Sequence, residues 1–202
     1  MRFRTAVVLV FSLVLTIATA APRGAAATAS RQQADSLARK ITQITQRGTQ
    51  APATVARRTE VSEDEINSWF EFRGRQYLPN GVTSPTVAML GEGSMRGVAT
   101  VDLEALGKRR SRGGMLDLWS YLGGKVPVAV TGTLRANNGR GQFEMTSAEM
   151  AGVPVPKALV QQLLSMYSPT ADDKPLSLDA SFELPAKIRS IDVGRGQLVV
   201  VQ

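Results

Sequence analysis

The sequence predicts an α+β domain whose helices gather on one face of an antiparallel sheet. Three long segments alternate apolar and polar side chains, which is typical of strands with one buried face. Turns that contain Asn or Gly separate several of the predicted strands. Other segments have apolar residues at steps of three and four, the spacing of amphipathic helices.

The first twenty residues have the pattern of an export signal. Arg2 and Arg4 give a positive start, and the apolar run over residues 5–17 is shorter than the ~20 residues of a spanning helix. Residues 18–20, Ala-Thr-Ala, match a signal peptidase site. We therefore expect cleavage before Ala21 and export to the periplasm or the extracellular space, where the chain is soluble. The alternative is an uncleaved N-terminal anchor.

Residues 21–58 have the composition of a basic flexible arm. Residues 21–60 hold seven basic and two acidic side chains, whereas residues 61–202 hold fifteen of each. Most of the net charge of +7 therefore belongs to the arm. An exported basic arm more often meets anionic lipid or cell-wall polymer than nucleic acid, so we expect contact with an anionic membrane surface and no nucleic-acid partner. A solvated leader is the alternative.

The arm contains one predicted helix, over residues 30–47. Ala34, Leu37, Ile41 and Ile44 form a narrow apolar stripe along it. We expect this helix to pack on a partner or to lie on a surface. Few contacts should then cross the boundary at residue 58, and the arm should be dispensable for folding.

The predicted α+β domain covers residues 59–202 and opens with a helix. Ser62 and Glu65 have the spacing of a capping box. Ile66, Trp69 and Phe70 continue at helical spacing, and Gly74 ends the helix. The alternating segments that follow are 95–105, 126–136 and 176–184, and turns are predicted at 91–94, 137–139 and 194–196. Two more helices are predicted over 115–122 and 157–167, the second largely buried.

No residues form a catalytic or metal-binding constellation. The sequence has no histidine and no cysteine, which excludes Ser-His-Asp triads, Cys-His pairs, the usual zinc ligand sets and disulfides. Asp102 and Glu104 share one face of a strand, but the alternation places polar residues there anyway. We therefore predict a protein that is not an enzyme and that holds no cofactor and no metal.

A basic loop precedes the predicted helix 115–122. Lys108, Arg109, Arg110 and Arg112 lie within five residues of one another. They are candidates for contact with an anionic headgroup or surface. An exposed hairpin end is the alternative.

The order of motifs resembles a known family. Residues 61–67 (Val-Ser-Glu-Asp-Glu-Ile-Asn) resemble the helix start of exported or anchored bacterial proteins of uncharacterised function. Residues 152–156 (Gly-Val-Pro-Val-Pro), the Leu-rich helix, Leu184-Pro185 and a final hairpin over 191–201 are similar to the lipomannan-elongation-maintenance type of phospholipid-binding proteins. The resemblance covers about 61–202. It implies half of a tubular lipid-binding domain, with a twisted sheet curled around one or two helices. The insertion at 108–125 has no counterpart in the family.

Two functions compete on these grounds. The first is a cell-envelope protein that binds a lipid or another apolar ligand in a groove. The residues expected to line that groove are Ile66, Trp69, Phe70, Leu163, Leu164 and Tyr167. The alternative is an envelope interaction or assembly module with a packed core and no small ligand. An enzyme is a third hypothesis, and the lack of a site argues against it.

Overall fold

The computed structural model describes residues 29–51, 55–78, 80–102, 124–166 and 180–202. Its helices are α1 (Arg31–Thr49), α2 (Glu63–Phe72) and α3 (Lys157–Met166), with a short 3-10 helix at Gly74–Tyr77. Its strands are β1 (Arg58–Ser62), β2 (Val82–Gly91), β3 (Ser94–Asp102), β4 (Lys125–Asn137), β5 (Arg140–Met150), β6 (Val153–Pro154), β7 (Phe182–Glu183), β8 (Ser190–Val193) and β9 (Gln197–Val201). The predicted signal peptide, the basic loop at 108–112 and the predicted helix 115–122 lie outside the described residues.

The strands form two antiparallel sheets, which confirms the predicted α+β class. The larger sheet has the strand order β2-β3-β4-β5-β6, and β7 also pairs with β5. The smaller sheet has the order β1-β9-β8. A bridge between Leu90 and Arg195 and a hydrogen bond of 2.9 Å from the Gly196 amide to the Met89 carbonyl connect the two sheets.

The three predicted turns are confirmed. Asn138 and Gly139 have φ values of 53° and 76° between β4 and β5, the backbone that a two-residue hairpin requires. Glu92 and Gly93, with φ values of 54° and 79°, join β2 to β3. Gly196, at φ 70°, lies in the turn between β8 and β9. Asn and Gly adopt a positive φ more readily than other residues, which is why short segments that contain them predicted the hairpin turns.

The hydrophobic core joins the smaller sheet to one end of the larger sheet. Ala136 of β4 packs with Leu184, Ile188 and Val200, each at most 8% exposed. Ile44 of α1 lies partly buried against them. The end of α1 therefore belongs to this core.

The position of α1 corrects the expectation that few contacts cross at residue 58. Ala34 and Leu37 of α1 are 0% and 7% exposed, because α1 packs on α2. Of the predicted stripe, Ala34, Leu37 and Ile44 are buried or partly buried, whereas Ile41 is 41% exposed. The helix that the stripe packs on belongs to the same chain. Of the predicted arm, residues 21–28 and 52–54 lie outside the described residues.

One further prediction needs correction, and one strand was missed. The alternation over 176–184 predicted a long strand, yet among its described residues only Phe182–Glu183 are a strand. Residue 180 and residue 181 have no regular structure. Sequence patterning also missed β1, because Arg58–Ser62 is short and carries polar side chains on its exposed face.

Candidate functional site

The larger sheet has one apolar face, which the strand register defines. Val87 of β2 lies opposite Gly97 of β3, which lies opposite Val130 of β4, which lies opposite Ala148 of β5. Residues that are directly opposite share a face, and every second residue along a strand returns to it. The apolar face, as named here, includes Val87, Met89, Met95, Gly97, Ala99, Val101, Val126, Val128, Val130, Ala148 and Met150.

The centre of the apolar face is less covered than its border. Met89, Val126, Ala148 and Met150 at the border are buried, at most 9% exposed. The central Val87, Met95, Ala99, Val128 and Val130 are partly exposed. A Cβ built on Gly97 would have no described atom within 4 Å. The middle of the face therefore has open space above it on the part of the chain that the structure describes.

The opposite face of the same sheet is the more polar one: it carries ion pairs, beside the apolar Val98 and Ala129. We call it the polar face. Arg96 reaches across β4 to β5, with its Nη2 2.9 Å from Glu149 Oε2. Its Nη1 lies 3.4 Å from the Thr131 hydroxyl. Arg135 and Glu144 form a second, more exposed ion pair at 3.4 Å. Charged side chains that pair across exposed strands are typical of a face in contact with water.

Strand β2 lies at one edge of the larger sheet, and side chains of α2 bind its backbone. The Asn67 amide donates to the Val87 carbonyl at 2.9 Å and accepts from the Val87 amide at 2.7 Å. Glu63 Oε2 accepts from the Met89 amide at 2.6 Å. These contacts satisfy backbone groups that an edge strand otherwise leaves unpaired. They fix α2 along β2, beside the apolar face.

Glu65 joins α2 to α1. Its carboxylate accepts from the Ser36 hydroxyl at 2.6 Å, from Lys40 Nζ at 2.7 Å and from the Ser62 amide at 2.9 Å. Burial by itself would raise the pKa of Glu65, but the hydrogen bonds from Lys40, Ser36 and Ser62 outweigh it and hold the pKa below its ordinary value. The predicted capping box is confirmed, and its glutamate also anchors the neighbouring helix.

The three predicted groove residues on α2 are placed next to one another. The Trp69 ring meets the Phe70 ring edge-on at 5.5 Å and stacks on Tyr77 at 5.4 Å. Ile66 is partly buried one turn earlier. A side chain at Gly74 would come within 3.0 Å of both the Trp69 and Phe70 rings. The two rings therefore pack against the end of their own helix.

The structure describes the other predicted site residues only in part or not at all. Leu163 and Leu164 lie on α3, whose side chains at these positions are outside the description, as is all of Tyr167. The helix α3 contacts β5, whereas α2 contacts β2. Three strand spacings of ~4.8 Å separate β2 from β5. A shared cleft between the two helices stays a prediction, as does headgroup contact by Lys108, Arg109, Arg110 and Arg112.

Comparisons with known proteins do not assign this chain to a family. No protein-family model, no curated protein and no solved structure matches this chain. None of the described helices combines the length and apolar character needed to cross a membrane. Within the described ranges, no group of three acidic side chains is placed to hold a metal ion.

Proposed function

We propose that this chain is an exported, non-catalytic protein of the cell envelope that binds an apolar chain, from a lipid or another apolar ligand, on the apolar face. The observation that carries the proposal is at the centre of that face, where no atom of the described residues lies within 4 Å of a Cβ built on Gly97. The phospholipid-binding family that the sequence resembles favours the same class of ligand.

Physical reasoning supports an apolar ligand there. Protein interiors are close-packed, so a face of Val, Met and Ala side chains that only completed a core would leave little free space. Each methylene group that an acyl chain buries contributes ~0.8 kcal/mol. The ion pairs of the opposite face make that side unsuitable for the same ligand.

Two substitutions on adjacent residues of β3 test the proposal. Gly97→Phe puts a large ring into the open space, and Val98→Phe puts the same ring on the polar face. We expect Gly97→Phe to weaken binding of a fluorescent fatty acid by roughly tenfold or more, since the ring replaces several methylene contacts. Its melting temperature should stay the same or rise, because glycine weakens a strand. Val98→Phe should bind as the wild type does.

The contrary outcome identifies the alternative. A packed core at Gly97 would be overfilled, at about 1–3 kcal/mol of lost stability. If Gly97→Phe is destabilised to that degree, and organic extraction of purified wild-type protein followed by mass spectrometry yields no lipid, the protein is an interaction module with a packed core.

A further inference from the structure

A cavity of about 380 Å³ lies at the end of the molecule away from Gly97. Its walls come from the end of α1, the residue before β1, the turn between β4 and β5, the segment that joins β7 to β8, and Gln202. Its floor includes Leu184 and Ile188, two buried members of the core. We call it the basic pocket, for the charges described next.

Four cationic side chains line the basic pocket: Arg47, Arg57, Lys187 and Arg189. None of the described residues that line it is acidic. Gln202 is the last residue of the sequence, and a free α-carboxylate there would offset one of the four charges. The lining still keeps a net positive charge, and its cationic side chains repel one another when no anion is bound.

Two of the four cations are held in place by the protein. Arg47 Nη1 donates to the Thr59 hydroxyl at 3.0 Å, and Lys187 Nζ donates to the Gln50 carbonyl at 2.7 Å. Each contact occupies one donor, which leaves four on the guanidinium and two on the ammonium. Neutral partners also leave both charges uncompensated.

The other two cations have no partner among the described residues. The Arg57 and Arg189 side chains are exposed, and their guanidinium groups form no hydrogen bond or ion pair within the described ranges. A guanidinium presents parallel N–H donors that match the oxygens of a phosphate group. The pocket thus combines two cations that the protein holds in place with two guanidinium groups that have no partner among the described residues.

The backbone around the pocket is fixed before any ligand arrives. The Gly139 amide donates to the Arg189 carbonyl at 2.9 Å. Gln202 Nε2 donates to the carbonyls of Ile44 and Ala186, at 2.9 and 2.7 Å. These bonds tie α1, the β4–β5 turn and the 184–189 segment together, which reduces the ordering that ligand binding would otherwise require.

We propose that the basic pocket binds a phosphate group, either free or as a phosphate ester. A phosphate monoester carries a charge of about −1.5 to −2 and offers three acceptor oxygens, which suits several converging cations better than a single carboxylate does. The pocket shares no lining residue with the apolar face. This inference therefore stands or falls independently of the proposed lipid-binding function.

Titration calorimetry with inorganic phosphate, at constant ionic strength, tests the proposal. The pocket variant replaces both Arg57 and Arg189 by Gln. The matched control replaces Arg58 and Arg195 by Gln; both are exposed arginines outside the pocket, so net charge falls equally. We expect the wild type and the control to bind phosphate alike, and the pocket variant to bind roughly tenfold or more weakly.

Three results would overturn the proposal: no binding by the wild type, equal binding by the pocket variant, or equal loss in both variants. The last would indicate a general charge effect. Both variants should melt as the wild type does, because the substituted guanidinium groups have no partners in the described chain.

A second experiment identifies the source of the phosphate. Vesicles of phosphatidic acid in phosphatidylcholine are mixed with the wild type, the pocket variant and the control, since the phosphatidic acid headgroup is a phosphate monoester. Binding that is lost only in the pocket variant and is displaced by inorganic phosphate assigns the pocket to a lipid headgroup. If the vesicle binding of all three proteins is equal while the phosphate titrations differ, the pocket takes a soluble phosphate ester.

Discussion

The α1–α2 interface and the centre of the apolar face differ in how completely their groups are satisfied. At the interface, Ser68 is 0% exposed and its hydroxyl accepts from the Ser30 amide at 3.1 Å while donating to Gln33 at 3.0 Å. At the centre of the apolar face, partly exposed Val and Ala side chains surround Gly97, above which the described residues leave open space. Polar groups need defined partners when buried, whereas apolar side chains tolerate a change of neighbour.

This difference assigns separate tasks to the two regions. The interface holds α1, α2 and the edge of β2 in one arrangement, because each hydrogen bond there fixes a distance and a direction. The apolar face depends on area alone, so it can exchange one apolar neighbour for another without loss of a specific bond. The first region holds the fold, and the second is where we propose that an apolar ligand binds.

Removal of α1 should give the largest effect on stability. A chain that begins at Ala56 retains β1 but uncovers α2 and leaves Glu65 and Ser68 without their partners on α1. A buried leucine such as Leu37 contributes about 3 kcal/mol by itself. We expect the melting temperature to fall by about 10 °C or more. A fall of only a few degrees would restore the interpretation of residues 21–58 as a dispensable arm.

Local signals in the sequence predicted the local structure well. The capping box at Ser62 and Glu65, the turn at Asn138-Gly139 and the alternation around Ala99 each depend on residues only a few positions apart. The contact of Ser36 and Lys40 with Glu65 spans 29 and 25 residues. On the sequence alone, those polar side chains on α1 have the pattern of a solvated helix face.

The candidate sites, too, depend on contacts between distant residues that local sequence signals do not predict. Alternation identified one face of β3 and β4 as apolar, but it carries no information on the space above Gly97. The basic pocket was missed because Arg47, Arg57 and Arg189 come from distant segments that only the folded chain brings together. The cluster at 108–112 drew attention because its charges are adjacent in sequence.

Substitution of Glu65 should give the second largest effect. Glu65→Ala removes the acceptor for Ser36, Lys40 and the Ser62 amide at once. We expect a loss of roughly 2–4 kcal/mol in the free energy of unfolding, from lost capping and from buried donors left unpaired. Chemical denaturation measures it. Glu65→Gln keeps a hydrogen-bond acceptor and should lose less.

The contribution of Glu65 should also depend on pH in a defined direction. The pKa of Glu65 is held below its ordinary value of 4.5 in the folded protein. The charged form is therefore favoured by folding, and its contribution is complete above pH 4.5 and is lost as pH falls through the folded pKa. The difference in stability between the wild type and Glu65→Gln should accordingly be constant near neutral pH and shrink in acid. A difference that grows in acid would contradict the assigned hydrogen bonds.

The ion pair on the polar face should give the smallest effect, which sharpens the contrast with Glu65. Arg96 and Glu149 lie 2.9 Å apart with both side chains 37% exposed, whereas Lys40 and Glu65 lie 2.7 Å apart with exposures of 29% and 9%. Solvent screens the first pair, so we expect Arg96→Ala to lower the free energy of unfolding by only about 0.2–1 kcal/mol.

Double-mutant cycles on both pairs, measured at low and at high salt, compare them directly. The coupling of Arg96 with Glu149 should be small and should decline with salt, while that of Lys40 with Glu65 should be several-fold larger and less sensitive. Equal couplings would mean that distance, and not burial in the helix interface, determines the strength of these contacts.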